Sequence, residues 1–355
     1  MRKKTLLKKR LSELRISGIL ITNLTNVRYL SGFTGSSGFL VITQKRDIFV
    51  TDFRYQEQAR HEVKGYSLRI ENSERTREIK SICDECGIKR LGFEGSNLTY
   101  AFYNALLKKK IRLNPLTDIV ESLRIIKSSE EISFIKESVK RAERAFRRLQ
   151  PFIKVGTTEQ KLALKFEQLL KAEGCKILPF EVIVASGPKS ALPHAKPSSR
   201  RLKEGDLVVF DWGGECNGYM SDMTRTVLLN GKDVSKQKEL YYNVLEAQRR
   251  AVDSVKAGIK SSVVDAAARN YIDNKGYGDC FGHGTGHGVG LNVHEKPFVS
   301  WRNKEVIRDN MVFTIEPGIY IPGFGGVRIE DMVVARKNRA EMLTTLPRKL
   351  KILKR

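Results

Sequence analysis

The sequence predicts an α/β (α+β) chain of two domains, a smaller α/β domain followed by a larger one made of two halves related by pseudo-two-fold duplication. Three observations predict it. Short apolar runs alternate with amphipathic stretches through the first third, as they do where helices and strands share a layered core. Beyond residue 128 or so, a pattern of two helices, a turn and a strand pair occurs twice. Each copy carries two acids in strand settings that otherwise read as core.

Taken in order, Leu6, Leu7, Leu11, Leu14 and Ile16 stand at nearly helical spacing among lysines, an amphipathic helix better suited to domain packing than to a membrane surface. Gly18-Ile-Leu-Ile-Thr is a buried strand, and 23–38 a turn-rich segment. Phe39-Leu-Val-Ile-Thr and Asp47-Ile-Phe-Val-Thr-Asp are paired strands. A helix from Tyr55, a strand over 66–70, a helix over 79–86, a strand over 90–94 and a helix over 100–109 follow. Asn114-Pro-Leu-Thr-Asp breaks the alternation, and Ser129-Glu-Glu-Ile opens a helix with a serine cap and acids in its first turn. The division is placed at 1–125 and 126–355.

In the second domain a helix over 130–149 leads to Lys154-Val-Gly156 and a helix ending at Gly174. A helix over 238–252 leads to Lys256-Ala-Gly258 and a helix ending at Gly276. Each pair is followed by a like entry, Leu202-Lys-Glu-Gly-Asp-Leu-Val-Val-Phe-Asp and Ile307-Arg-Asp-Asn-Met-Val-Phe-Thr-Ile-Glu. Each entry feeds a hairpin with two acids, Asp211 and Asp222 in the first, Glu316 and Glu330 in the second.

Composition narrows the function classes. The 64 Lys+Arg against 40 Asp+Glu give a formal charge of +24, enough to bind polyanions without selectivity. The basic residues are dispersed and no nucleic-acid signature with interleaved aromatics accompanies them, so no specific nucleic-acid partner is expected. Five scattered cysteines argue against a disulfide framework, and Cys83-Asp-Glu-Cys86 lacks a second pair for zinc. The N-terminus is too charged for a signal-peptide core and no apolar run is long enough to span a bilayer, so a cytoplasmic location without membrane partners is expected.

The stretch 282–295 holds three of the five histidines and five of the 28 glycines. Neutral imidazole binds metals and carries protons, and glycine lets backbone approach a ligand closely. Four buried acids without counter-charge would force protonation, which divalent cations relieve. Carboxylates with one imidazole suit Mn(II), Co(II) or Fe(II) better than a thiolate-type zinc site. A cation pair implies metal-assisted hydrolysis.

The set Asp211, Asp222, His287, Glu316 and Glu330 resembles the five metal ligands of the pita-bread metallopeptidases, in their proline-specific branch of aminopeptidase P and prolidase. The resemblance covers essentially the whole chain, 1–125 being similar to the creatinase-type N-terminal domain and 126–355 to the pita-bread catalytic domain. It implies two divalent ions, Mn(II) foremost with Co(II), Fe(II) or Zn(II) as alternatives, bridged by Asp222 and Glu330. Asp211 would bind one ion, and His287 with Glu316 the other. It further implies that a hydroxide between the ions attacks the Xaa-Pro bond while Glu316 carries the proton. His194, in Leu192-Pro-His-Ala, resembles a substrate-side histidine, His294 one that stabilises the tetrahedral intermediate, and His283 a pocket-lining residue. Arg328 would support the ligands, and the resemblance implies a homodimer.

Within that branch the residues favour an Xaa-Pro aminopeptidase, acting on peptides with proline second, over a dipeptidase. Several prolidases carry arginine four residues past the equivalent of His294, where this chain has Phe298, although Arg302 stands close by in sequence. Gly32-Phe-Thr-Gly-Ser-Ser-Gly and Thr51-Asp-Phe-Arg-Tyr also resemble the aminopeptidases. A rival of another class is a noncatalytic binding protein of the same fold, which the five intact ligands disfavour.

Overall fold

Arg2–Glu13 forms the first helix in a computed structural model that describes residues 2–353. Leu7, Leu11 and Ile16 are buried, while Leu6 and Leu14 stay half exposed, so only one stripe of the expected face is used. The chain divides into two units, Met1–Arg124 and Ile125–Arg355.

The first unit is a six-stranded mixed sheet with helices. Its strands are β1 (Gly18–Ile21), β2 (Phe39–Thr43), β3 (Asp47–Thr51), β4 (Ser67–Ile70), β5 (Leu91–Glu94) and β6 (Leu113–Leu116), in the order β4-β3-β2-β1-β5-β6. Strands β1 and β2 pair antiparallel, as do β2 and β3, and the remaining contacts are parallel. Two expectations are corrected here. The turn-rich segment contains a helix, Leu24–Ser31, started by the Asn23 side chain accepting from the Thr25 N–H and stopped by Gly32 at φ 83°. Asn114-Pro-Leu does not break the pattern but forms β6, an edge strand where a missing proline N–H is tolerated. Cys83 is buried against this sheet, and burial pushes its thiol up to about 12, which leaves that thiol a poor nucleophile.

In the second unit, helices Ser129–Leu149 and Glu159–Ala172 recur as Ser235–Ser254 and Ser261–Asn274. Ser128 rather than Ser129 caps the first of them, in a reciprocal capping box with Glu131. Between the helices of each pair, Gly156 and Gly258 take matching left-handed conformations, φ 86° and 95°. The entries to the hairpins also match, Gly205 at φ 78° and Asn310 at φ 66°, asparagine being the residue that best tolerates this region after glycine.

The first half contributes β7 (Ile183–Ser186), β8 (Leu207–Trp212), the short hairpin β9 (Glu215–Cys216) and β10 (Tyr219–Met220), and β11 (Met223–Leu229). The second contributes β12 (Gly286–Gly288), β13 (Glu295–Val299), β14 (Val312–Ile315), the hairpin β15 (Gly318–Ile321) and β16 (Gly325–Arg328), β17 (Asp331–Ala335) and β18 (Ala340–Met342). Sheet orders are β19-β11-β8-β7, closed by β19 (Lys351–Leu353), and β13-β12-β14-β17-β18. Phe146, Phe166, Phe210 and Trp212 pack ring against ring between the first helix pair and β8. Each such ring buries about 1.5–3 kcal/mol of apolar surface, more than the ~1 kcal/mol of a helix cap, so packing rather than capping seats the helices.

Candidate metal centre

Two antiparallel strand pairs deliver four acids to one place. Asp211 on β8 lies opposite Thr224 on β11, and Asp222 stands two residues before Thr224, so alternation along the strand turns all three to one face. On the second pair, Ile315 at the end of β14 faces Asp331 at the start of β17, and the flanking positions are Glu316 and Glu330. The pairs abut through Glu330 N–H donating to the Thr224 carbonyl (3.1 Å) and Thr226 Oγ1 donating to the Arg328 carbonyl (2.9 Å).

The glycines of 284–290 are there because backbone passes where a side chain would sit. A Cβ on Gly286 would lie 1.9 Å from the Thr314 carbonyl oxygen, and one on Gly288 2.2 Å from that of Lys296. This close weave threads β12 between β13 and β14 and sets His287 among the acids. Its Nε2 is 3.5 Å from Asp222 Oδ2 and 3.4 Å from Glu316 Oε1. These are not ion pairs: burial lowers the His287 pKa, so the ring is neutral. With Nδ1 3.1 Å from the Gly288 carbonyl, the proton sits on Nδ1 and donates there, leaving the Nε2 lone pair facing the carboxylates.

Ligand atoms of Asp211, Asp222 and Glu330 lie within 4.8 Å of one another, as do those of His287, Glu316 and Glu330, and those of Asp222, His287 and His294. Like charges ~4 Å apart repel by about 4 kcal/mol at an effective dielectric of about 20, so this cluster resists full ionisation on its own. Burial, then the charges of neighbouring acids, pushes Asp222 and Glu330 well above the ordinary carboxylate range. Glu316 is raised too, mainly by burial, against the pull of His283 and Arg328. Asp211 Oδ1 is buried with no hydrogen-bond partner. Acceptor-only oxygens and an imidazole lone pair converge, one oxygen orphaned, and this donor set fits divalent cations.

Arg328 is the buried cation of the centre. It donates to Asp211 Oδ2 (2.6 Å), the Tyr320 hydroxyl (2.9 Å), Thr224 Oγ1 (3.0 Å) and the Pro193 carbonyl (3.2 Å). Burial opposes its charge, but Tyr320, Asp211 and Glu316 outweigh that and keep it protonated. His283 donates from Nδ1 to the Gly284 carbonyl (2.8 Å), and its Nε2, 2.9 Å from Tyr320, accepts that hydroxyl. The His294 ring lies 4.3 Å from that of His287, and burial lowers its pKa as well.

All nine residues singled out from the sequence, His194, Asp211, Asp222, His283, His287, His294, Glu316, Arg328 and Glu330, line one cavity of about 540 Å³. Its outer wall is Phe180, Val182, Ile183, Pro193 and Phe298, with Glu181 and Lys196 also lining it. A scan against family models matches 133–337 to Metallopeptidase family M24 and 4–126 to the Creatinase/Prolidase N-terminal domain.

The chain belongs to metallopeptidase family M24.

Among its M24 relatives, the uncharacterized peptidase YqhT of Bacillus subtilis is 44% identical over 344 residues, 96% of this chain and 97% of that one. The structure of an Xaa-Pro dipeptidase from Bacillus anthracis superposes with a TM-score of 0.97 at 42% identity, covering 99% of both chains. That of an X-Pro aminopeptidase from Thermotoga maritima gives 0.91 at 36%, covering 97% of this chain and all of the other. Both units of the chain therefore have the fold expected of them, a pita-bread domain preceded by a creatinase-like one.

Sequence reasoning missed the residues that hold this M24 centre in place. Thr224 donates to Glu330 Oε2 (2.7 Å), Thr314 Oγ1 donates to Glu316 Oε1 (3.1 Å), and Tyr320 links His283 to Arg328. The threonines had a signal, since each lies two strand positions from an acid and so shares its face. Tyr320 had none.

Proposed function

We propose that this M24 protein is a dinuclear metallo-aminopeptidase that removes the first residue from peptides with proline second, its catalytic domain spanning 126–355 after a creatinase-like domain over 1–125. The observation that carries this reading is the convergence of Asp211, Asp222, His287, Glu316 and Glu330 on a cavity walled by apolar side chains. Asp211, Asp222, His287, Glu316 and Glu330 would hold the ions, with Asp222 and Glu330 as the residues that both would share, and Mn(II) would best suit the oxygen-rich set. Bound there, the ions supply Lewis acidity for hydrolysis.

The chain's own groups do the rest. Glu316, whose carboxyl burial raises above the ordinary range, accepts a proton from the attacking water and returns it to the leaving proline nitrogen. Neutral His294 donates to the scissile carbonyl oxygen as it gains charge, and His194 orients the peptide. Arg328 holds Asp211 and, through the Pro193 carbonyl, the loop carrying His194. His283 braces Tyr320. An Xaa-Pro bond has no N–H to be recognised, which suits an apolar wall such as Phe180 and Phe298.

A dipeptidase reading has its own observation. Lys196 lines the cavity, paired with Glu181 at 3.6 Å, and offers a cation for a free C-terminal carboxylate; the Bacillus anthracis neighbour bears the dipeptidase name. Assays of Xaa-Pro against Xaa-Pro-Yaa and longer peptides, with chelated and Mn(II)-reconstituted protein, decide between them. Higher kcat/KM on the tripeptide supports the aminopeptidase, the reverse order the dipeptidase, and no metal-dependent cleavage the noncatalytic rival.

A further inference from the structure

His294 enters the cavity from a point that the β-ladder does not fix. Strands β12 and β13 pair Gly286 with Val299 and His287 with Phe298, and the register then jumps to Gly288 with Glu295, leaving Lys296 and Pro297 outside it. Side-chain bonding does not fix the ring either. The His283 and His287 rings are anchored through Nδ1 on the Gly284 and Gly288 carbonyls, whereas among the described residues no hydrogen bond reaches the His294 ring, which stands exposed in the cavity beside that of His287.

The next residue supplies a constraint. Glu295 does not line the cavity; its Oε1 lies 2.8 Å from the Lys127 ammonium, and the two side chains are only 10% and 1% exposed. The carboxylate also rests against the 288–294 loop, since a Cβ on Gly290 would fall 2.4 Å from that same Oε1. The Gly290 carbonyl in turn accepts from the N–H of Met220 (2.7 Å), two residues before the acid Asp222. Lys127 is a fixed post for this arrangement: its N–H donates to the Asn310 carbonyl (3.0 Å), Ile126 bridges to Met311, and Ser128 caps the helix that follows. A lysine so fully removed from water is rare. A buried ion pair also adds little stability over neutral groups of the same size, because desolvating both charges offsets their attraction.

We infer that Lys127 is a positioning residue of the metal centre, its ion pair with Glu295 setting where the His294 backbone stands and so where the imidazole meets the substrate's carbonyl oxygen. Lys127 itself does not line the cavity, so it acts through Glu295 and the loop rather than on the peptide. The pair serves geometry rather than stability. The effect on catalysis rests on the role given to His294 above; the placement of the ring does not.

The test replaces both charges by neutral side chains of similar size, Lys127→Met/Glu295→Gln. The variant should unfold in urea close to wild type and keep its Mn(II) content. Its kcat on an Xaa-Pro-Yaa tripeptide should fall about 10–100-fold with KM little changed, as for a group misplaced by about an ångström. In a His294→Ala background the same two substitutions should cost nothing further. A second readout needs no activity: in chelated protein the proton–nitrogen ring correlations of the five histidines should show His294 shifted or split, with His61 and His283 in place. Losses in kcat that multiply with that of His294→Ala, a His294 signal that stays where it was, or a loss of metal would overturn the proposal. If the double variant does not fold, Glu295→Gln alone carries the same expectations. Wild-type protein without metal-dependent cleavage would remove the peptidase reading, and the ring correlations would then decide the placement by themselves.

Discussion

The two halves of the catalytic unit share a scaffold and divide the chemistry. Gly156 and Gly258 turn alike, Gly205 and Asn310 enter their hairpins alike, and Thr158–Arg201 and Lys260–Val306 make corresponding bridges. The hairpin of the first half brings aspartates, that of the second glutamates and the histidine-bearing β12. The shorter acids belong to the half that faces Arg328, and the longer Glu316 is the one assigned the moving proton. The backbone frame matches between the halves because it positions strands, whereas the side chains differ: both halves bring carboxylates to the centre, and only the second adds an imidazole and, in the proposed mechanism, the acid–base group.

Breaking one ligand from each half is the harshest test of that division. Asp222→Ala and Glu330→Ala should each lower kcat/KM by about 10³-fold or more, as loss of several kcal/mol of charge stabilisation does, and each should reduce the metal content read by atomic absorption. His294→Ala should instead lower kcat about 10²–10³-fold with both metals retained. Metal loss in that variant would move His294 from substrate to ligand.

The threonines sharpen the comparison, since each half braces one acid with one hydroxyl. Thr224→Val and Thr314→Val should each weaken Mn(II) binding about 10–100-fold in chelator competition. The larger loss is expected at Thr224, which also accepts from Arg328.

Acidity separates the empty from the loaded centre. In chelated protein the folded-state pKa values of Asp222, Glu316 and Glu330 lie above their unfolded ones. Such groups stabilise fully below the unfolded carboxylate range, and that contribution is lost as pH rises through the raised values. The Tm of chelated protein should therefore fall on going from pH 5 to 8, and Mn(II), which binds the deprotonated acids, should stabilise more at pH 8 than at pH 5. A Tm gain from Mn(II) that shrinks with pH would contradict the ligand assignment.

The smallest effects test the scaffold alone. Gly156→Ala and Gly258→Ala have open space around the new methyl but positive φ, so each should cost about 1–2 kcal/mol in urea unfolding, equally in both halves. Asn310→Gly should be nearly neutral.

How much was legible follows from the range of the forces involved. Asp211, Asp222, Glu316 and Glu330 stood out because charge on a strand otherwise suited to burial conflicts with its surroundings, and the conflict appears twice in one frame. The helix Leu24–Ser31 was hidden because its sequence neighbours are turn residues, and its cap by Asn23 competes with turn chemistry written in the same letters. Strand β6 was hidden because a proline weighs against a strand unless the strand is known to be an edge.

By itself the sequence determined most of the elements, the duplicated frame and the residues that conflict with a core, since periodicity and local chemistry act over a few residues. The tertiary structure alone decided that nine of those residues face one cavity, that Tyr320 ties His283 to Arg328, and that Lys127 meets Glu295. Those facts depend on contacts between residues a hundred or more positions apart, such as Arg328 with Asp211, Arg225 with Glu330 and Lys127 with Glu295, and no local pattern records which distant side chains meet.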